Sequence, residues 1–181
     1  MMREVEISYQ ELEEKIIQEL AKLGTPGLYQ RGILATCVDN YVSARRQRFV
    51  ADGLSLYCWT YRTRKYEQIL KNPQVAAVIG FVQVEGKAEI LGHPLDKKNE
   101  RVIEVLKETQ PGFYEGYRHA FENRDEMYLI EVVPLRIMLP DGNGISILDL
   151  ESEVANRVPS NYWTELQEDH QDAPAYWGNL V

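Results

Sequence analysis

The chain has two cysteines, three histidines, and no apolar run approaching the roughly 18 to 20 residues that a membrane span needs. Each scarcity removes a class of function. Cys37 and Cys58 both lie in apolar stretches, and neither has a CxxC partner or a nearby histidine, so buried free thiols are predicted in place of a disulfide framework. His93, His119 and His170 stand far apart at no metal-ligand spacing, and ordinary surface or loop roles are expected for them. The N-terminal MMREVEISYQELEEK has no apolar stretch of the kind a signal peptide carries, which makes a cytoplasmic protein without membrane contact the expectation. Positive charge is also in deficit, with 20 Lys and Arg against 28 Asp and Glu and a net charge of -8. Nucleic-acid binding rests on Lys and Arg and finds little support in that balance.

Against the deficit, one stretch reverses the sign. From Val42 to Pro73 the basic residues Arg45, Arg46, Arg48, Arg62, Arg64, Lys65 and Lys71 face only Asp52 and Glu67. A compact anionic ligand held by one local basic patch accounts for this concentration better than a general polyanion does.

The surrounding pattern is that of one globular domain. Leu12, Ile16, Ile17, Leu20 and Leu23 recur at helical spacing between Ser8, a suitable N-cap, and Gly24, a stop. After a Gly- and Pro-containing loop, Ile33 to Val38 reads as a strand, Tyr41 to Val50 as a second, and LSLYCWT as a third, with Ala51-Asp52-Gly53 as the hairpin turn. In the second strand, alternation puts Val42, Ala44, Arg46 and Arg48 on one face and Ser43, Arg45, Gln47 and Phe49 on the other, so arginines point both ways. The connection TYRTRK leads into a two-turn helix, YEQILKNP, ended by Pro73. Val75 to Phe81 is an apolar strand, and VQVEGKAEIL follows with Gly86 as the signature of a bulge. Residues 95 to 121 turn helical in two pieces parted by Gln110-Pro111-Gly112, and MYLIEVVPLRIMLP is the last strong strand, interrupted at Pro134.

About six strands that do not alternate with helices predict a mainly β, α+β architecture, an antiparallel barrel-like sheet with helices at its ends. Residues 1–148 form this domain, its first helix included. From 149 to 181 the chain is acidic and interspersed with aromatic residues, including Trp163 and Trp177, and is expected to pack as an extension on the body or on a partner subunit.

The chemistry gathers in TYRTRK. It places the hydroxyls of Thr60, Tyr61 and Thr63 and the cations of Arg62, Arg64 and Lys65 immediately before a helix start, where free N–H groups and the helix dipole favour an anion such as phosphate. A solvated basic turn is the plain alternative. No side chain announces itself as acid, base or nucleophile, so the catalytic residues are unknown from sequence. Glu115, Arg118 and Glu122 lie at helical spacings and read as an ion-pair face.

The ordered set of GILATC, an arginine-bearing strand, a strand ending in threonine, the T-R-K turn, ILKNPQVA, a valine-rich strand and VEGKAEI resembles the FMN-binding split-barrel family, also called the pyridoxamine 5'-phosphate oxidase-like family. The resemblance is strongest from Ile33 to Ile90 and extends loosely through MYLIEVVPLRI. It implies an antiparallel six-stranded split barrel, a homodimer with the flavin at the subunit interface, and a small-molecule redox substrate. Carried over by position, Thr63, Arg64 and Lys65 match the phosphate-binding turn and Thr60 the threonine ending the third strand. Arg45 matches the second-strand arginine, with Arg48 the alternative if the hairpin register differs. Gln83 stands where relatives present a polar side chain to the flavin edge. Trp59 is placed either against the flavin ring or in the core. True pyridoxamine phosphate oxidases end in an Arg-x-His-type segment, whereas this chain ends APAYWGNLV, so oxidation of pyridoxamine phosphate is not expected. FMN is the expected cofactor, deazaflavin and haem the alternatives, and a non-catalytic binding or sensing role the alternative function.

Overall fold

The computed structural model describes residues 5–27, 29–142 and 144–159. Ser8 accepts a hydrogen bond from the Glu11 N–H at 3.3 Å and opens α1, Tyr9–Leu20. Leu12, Ile16 and Leu20, spaced by four, bury the same face, while Ile17 falls off it and stays exposed. The helix ends before Leu23, and the turn that follows reaches Gly24 at φ 88, a left-handed conformation that glycine adopts without strain.

The strands are β1 (Val5–Glu6), β2 (Gly32–Val38), β3 (Tyr41–Gln47), β4 (Val50–Asp52), β5 (Ser55–Tyr61), β6 (Gln74–Ile79), β7 (Val82–Gly92), β8 (Met127–Pro140), β9 (Gly144–Asp149) and β10 (Val154–Pro159). They form one antiparallel sheet in the order β1-β10-β9-β8-β7-β6-β2-β3, with β5 added to β8 and β4 to β5. Between β5 and β6 runs α2, Arg64–Lys71, and between β7 and β8 a short 3-10 turn leads into α3, Glu100–Thr109, and α4, Pro111–Asn123. Pro111 is accommodated in the first turn of α4, where its missing N–H costs no helical bond.

Two expectations are corrected. The single strand from Tyr41 to Val50 is two: β3 pairs with β2, β4 pairs with β5, and Arg48-Phe49 crosses between them. The break has a physical reason, because Phe49 is buried at 1% exposure and its carbonyl accepts from Gln110 Nε2 at 2.8 Å, bonds that a continuous ladder would not allow. Pro134 does not interrupt β8. On one edge β8 pairs with β5 up to Val132 and with β9 from Arg136, so the residue without an N–H stands where the edge changes partner. The sheet also continues past residue 149, since β10 pairs along its length with β9. The rest of the expected extension, residues 160–181, lies outside the described residues.

Gly86 faces Pro134 at a register shift, as its place in a strand pattern predicts, and a Cβ there would strike the Val133 carbonyl oxygen. Two cores result. The larger joins α1 to the sheet through Ile16, Leu34, Phe49, Leu56 and Ile137, and the smaller packs α3 and α4 on β5 and β8 through Trp59, Leu106, Phe121 and Leu129. Gly86→Ala should destabilise the protein by about 1–3 kcal/mol in urea unfolding, because the obstacle is backbone that cannot rotate away; an unchanged midpoint would show that β8 yields there.

Candidate functional site: a basic groove at the start of α2

A groove of about 510 Å³ opens between β3, the end of β5 and the first turn of α2, lined by Ser43, Arg45, Arg46, Gln47, Thr60, Thr63, Arg64 and Lys65. The structure therefore brings together five of the residues singled out from sequence: Arg45, Thr60, Thr63, Arg64 and Lys65. Arg64 and Lys65 do not precede the helix as expected; α2 begins at Arg64 with Thr63 as its N-cap. The Thr63 side chain makes no capping bond and is 3.1 Å from the Thr60 hydroxyl. The Thr60 hydroxyl donates to the Tyr61 carbonyl at 2.9 Å, which leaves the Thr63 hydroxyl and the first-turn N–H groups of α2 beside the groove, groups suited to an oxyanion.

Arg45 is aimed inward from β3, opposite Leu34. One terminal nitrogen donates to Gln68 Oε1 at 2.9 Å and to Thr36 Oγ1 at 3.2 Å. The other, Nη1, is buried and has no partner among the described residues. Burial, and after it the charge of Arg64, lower the Arg45 pKa. Neither guanidinium has a carboxylate within ion-pair distance among the described residues; Arg64 instead lies 4.8 Å from the Tyr41 ring centre. Two arginines held near each other without a counter-charge form a site whose energy falls when an anion arrives.

Lys65 behaves differently from the exposed grip that the T-R-K turn suggests. It is 6% exposed, and its ammonium donates to Gln47 Oε1 at 2.5 Å and to the Trp59 carbonyl at 3.3 Å, tying β3, β5 and α2 together. Burial pushes its pKa below the ordinary 10.5.

Arg48 and Trp59 belong to a neighbouring pocket of about 290 Å³ that shares Arg46, Gln47, Thr60 and Thr63 with the groove. Trp59 packs in the smaller core, stacked on Phe113 at 5.1 Å and edge-on to Tyr117 at 5.5 Å. β3 ends at Gln47, so Arg45 lines the groove from within the strand, whereas Arg48 lies beyond it with its guanidinium 3.9 Å over the Phe113 ring. Gln83 is exposed on β7, opposite Val78 and Met138, and lines neither cavity. His93 bonds the Leu95 N–H and meets the Arg124 carbonyl, and His119 accompanies Asn123 on α4; neither lines the groove. Sequence reasoning missed Gln47, Gln68 and Thr36, neutral residues with no local signal, which become part of the site only when β2, β3 and α2 converge.

The direction of the Lys65 shift yields a testable sign. The unfolded lysine keeps its proton up to its ordinary pKa while the folded one gives it up earlier, so the unfolded state binds more protons in that window and stability rises with pH there. Compared with Lys65→Met, the wild type should gain relative stability in urea unfolding as pH rises from the lowered folded pKa to the ordinary unfolded one; a pH-independent difference would mean that the amine is solvated.

Neither a protein-family model nor a curated protein matches the sequence. Solved structures do. General Stress Protein 26 from Bacillus anthracis is 21% identical with a TM-score of 0.55, over 77% of this chain and 99% of its own. A protein of the pyridoxinephosphate oxidase family from Clostridium acetobutylicum, related to general stress protein 26, is 15% identical with a TM-score of 0.56, over 81% and 99%. A pyridoxamine 5'-phosphate oxidase-related, FMN binding protein from Nostoc punctiforme is 14% identical with a TM-score of 0.56, over 80% and 95%. At these identities the likeness is one of fold, and the chain has the split-barrel fold of the pyridoxamine 5'-phosphate oxidase-like proteins.

Proposed function

We propose that the protein binds FMN in the basic groove and acts as an FMN-dependent oxidoreductase on a small-molecule substrate. The observation that carries the reading is the cradle itself: Arg45, with its unpartnered buried nitrogen, stands beside Arg64 and the Thr60 and Thr63 hydroxyls at an uncapped helix start. These residues fit a phosphate monoester, Arg45 and Arg64 supplying charge and the Thr63 hydroxyl and first-turn N–H groups direction. Lys65 holds the cradle from behind. When bound, FMN supplies the hydride and electron chemistry. Among the described residues the groove is lined by arginines, a lysine, hydroxyls and Gln47, groups that bind and orient an anionic cofactor.

A homodimer belongs to the same proposal. Ile33 and Val78 are cross-strand partners on the outer face of the sheet at 46% and 42% exposure, and Val42, at 65%, lies further along the same face of β3. An exposed apolar surface of this kind favours a partner. Arg46, the opposite neighbour of Ile33, also lines the groove, so a second copy packed on this face would border the flavin.

The absorbance spectrum of the purified protein tests the cofactor: flavin bands, or a rise in Tm on adding FMN, support the reading, and a colourless protein indifferent to FMN sinks it. Deazaflavin or haem would declare itself by a different spectrum. Arg64→Gln and Arg45→Gln should each weaken FMN binding by about tenfold or more, the loss of one charge-assisted grip. Bleaching of the bound flavin by NADH or NADPH without oxygen supports the enzyme; inertness supports a storage or sensing protein. Val78→Asp should yield monomers in analytical ultracentrifugation and weaker FMN binding, and an unaltered dimer would place the interface elsewhere.

A further inference from the structure

The outer face of the sheet carries a second apolar surface, apart from Ile33 and Val78. Residues two apart along a strand share a face, and cross-strand pairing then fixes which of them are neighbours. Met138 pairs with Ile147, and Pro140 pairs with Ile145, which pairs in turn with Val158. Five apolar side chains of β8, β9 and β10 therefore form one patch. Ile145 is 42% exposed, Pro140 is exposed, and Met138, Ile147 and Val158 are half-buried. The opposite face of the same strands is already used, since Ile137, Leu139, Leu148 and Ala155 are buried in the larger core with α1.

The patch has a polar rim. Gln83, exposed on β7, pairs with Val78 on one side and Met138 on the other and so parts the two apolar surfaces. Along the strands the patch stops at a row of ion pairs, where Arg136 meets Glu85 at 3.7 Å and Asp149 at 3.4 Å. A contiguous apolar surface bounded by polar groups marks a contact site, whereas singly scattered exposed residues do not.

Connectivity decides what can cover it. β10 ends at Pro159, the residue after Val158 of the patch, and the chain continues Ser160-Asn161-Tyr162-Trp163. Four residues span at most about 14 Å. The far strand of the patch, β8, lies two strand spacings from β10, or about 10 Å. Tyr162 and Trp163 are thus tethered within reach of every residue of the patch. A tethered segment acts at an effective concentration on the order of millimolar, whereas a second copy must first meet the cost of lost translational and rotational freedom. Tyrosine and tryptophan also set a large apolar ring on a surface while keeping a polar tip in water.

The geometry points to this patch as the dock of the chain's own C-terminal segment, with Tyr162 and Trp163 laid on Met138, Pro140, Ile145, Ile147 and Val158. The docking holds whether or not the groove takes a flavin, and it leaves Ile33 and Val78 open to the proposed second copy.

Limited chymotryptic digestion of the full chain, followed by mass spectrometry, tests the inference. Cleavage after Tyr162 and Trp163 should be at least about tenfold faster in Ile145→Asp than in the wild type, because the aspartate removes the dock of a large apolar side chain. Thermal melting checks that Ile145→Asp is folded. Trp163→Ser alters no residue of the sheet and should raise the binding of an apolar dye such as ANS, and adding Ile145→Asp should reverse that rise. Protection should not change with protein concentration at fixed protease. Equal digestion of wild type and folded Ile145→Asp, or dye binding unmoved by Trp163→Ser, would overturn the inference. Protection that is lost on dilution would give the patch to a second copy and overturn it equally.

Discussion

One strand is shared by everything else in the fold. β8 is 14 residues long and holds β7 along one edge, while its other edge serves β5 over its first half and β9 over its second. A strand can change neighbours only where its backbone groups are released from both, and Pro134, which has no N–H to pair, stands at that point with Gly86 opposite. The branching separates the two cores. It also carries β5 away from β9, so that the end of β5 meets α2 and the crossing from β3 to β4, where the groove and the aromatic pocket lie side by side.

Inside that junction the governing term is electrostatic. Arg31, Arg45, Arg46, Arg48, Arg64 and Lys65 line two adjoining cavities in a chain whose total charge is strongly negative. The fold separates these cations by use. Lys65 is turned inward and spends its hydrogen bonds on Gln47 and the Trp59 carbonyl, making it a strut. Arg45 is held by Thr36 and Gln68 with one nitrogen left over. Arg48 is flattened on an aromatic ring, and Arg64 leans on Tyr41. Burying charge without counter-charge is costly, and a sequence that does so at one place has stability to recover from an anionic ligand.

The outer face of the sheet adjoins these cavities. Its exposed residues Ile33 and Val78 are bulky and apolar, and the row that they form ends at Arg46, a lining residue of both cavities. A second copy covering this surface, as proposed, would reach the rim of the proposed site and tie cofactor affinity to subunit association.

How much was legible in the sequence depends on the range of the forces involved. The i, i+4 spacing of Leu12, Ile16 and Leu20, the cap at Ser8, the glycine bulge at Gly86 and the grouping of Thr63 and Arg64 at a helix start are set by interactions within a few residues, and the amino-acid order by itself determined them. Strand alternation likewise sent Arg45 and Arg46 to opposite faces. The end of β3 at Gln47 was not legible, because it depends on Phe49 entering the core and on Gln110, 61 positions away, donating its side-chain N–H to the Phe49 carbonyl. Nor was the inward turn of Lys65, which answers to Gln47, or the meeting of Arg48 with Phe113, which requires α4 to close over β5. Those were decided by the tertiary structure alone, for the physical reason that burial and long-range hydrogen bonding choose among conformations that the local sequence leaves nearly equal in energy.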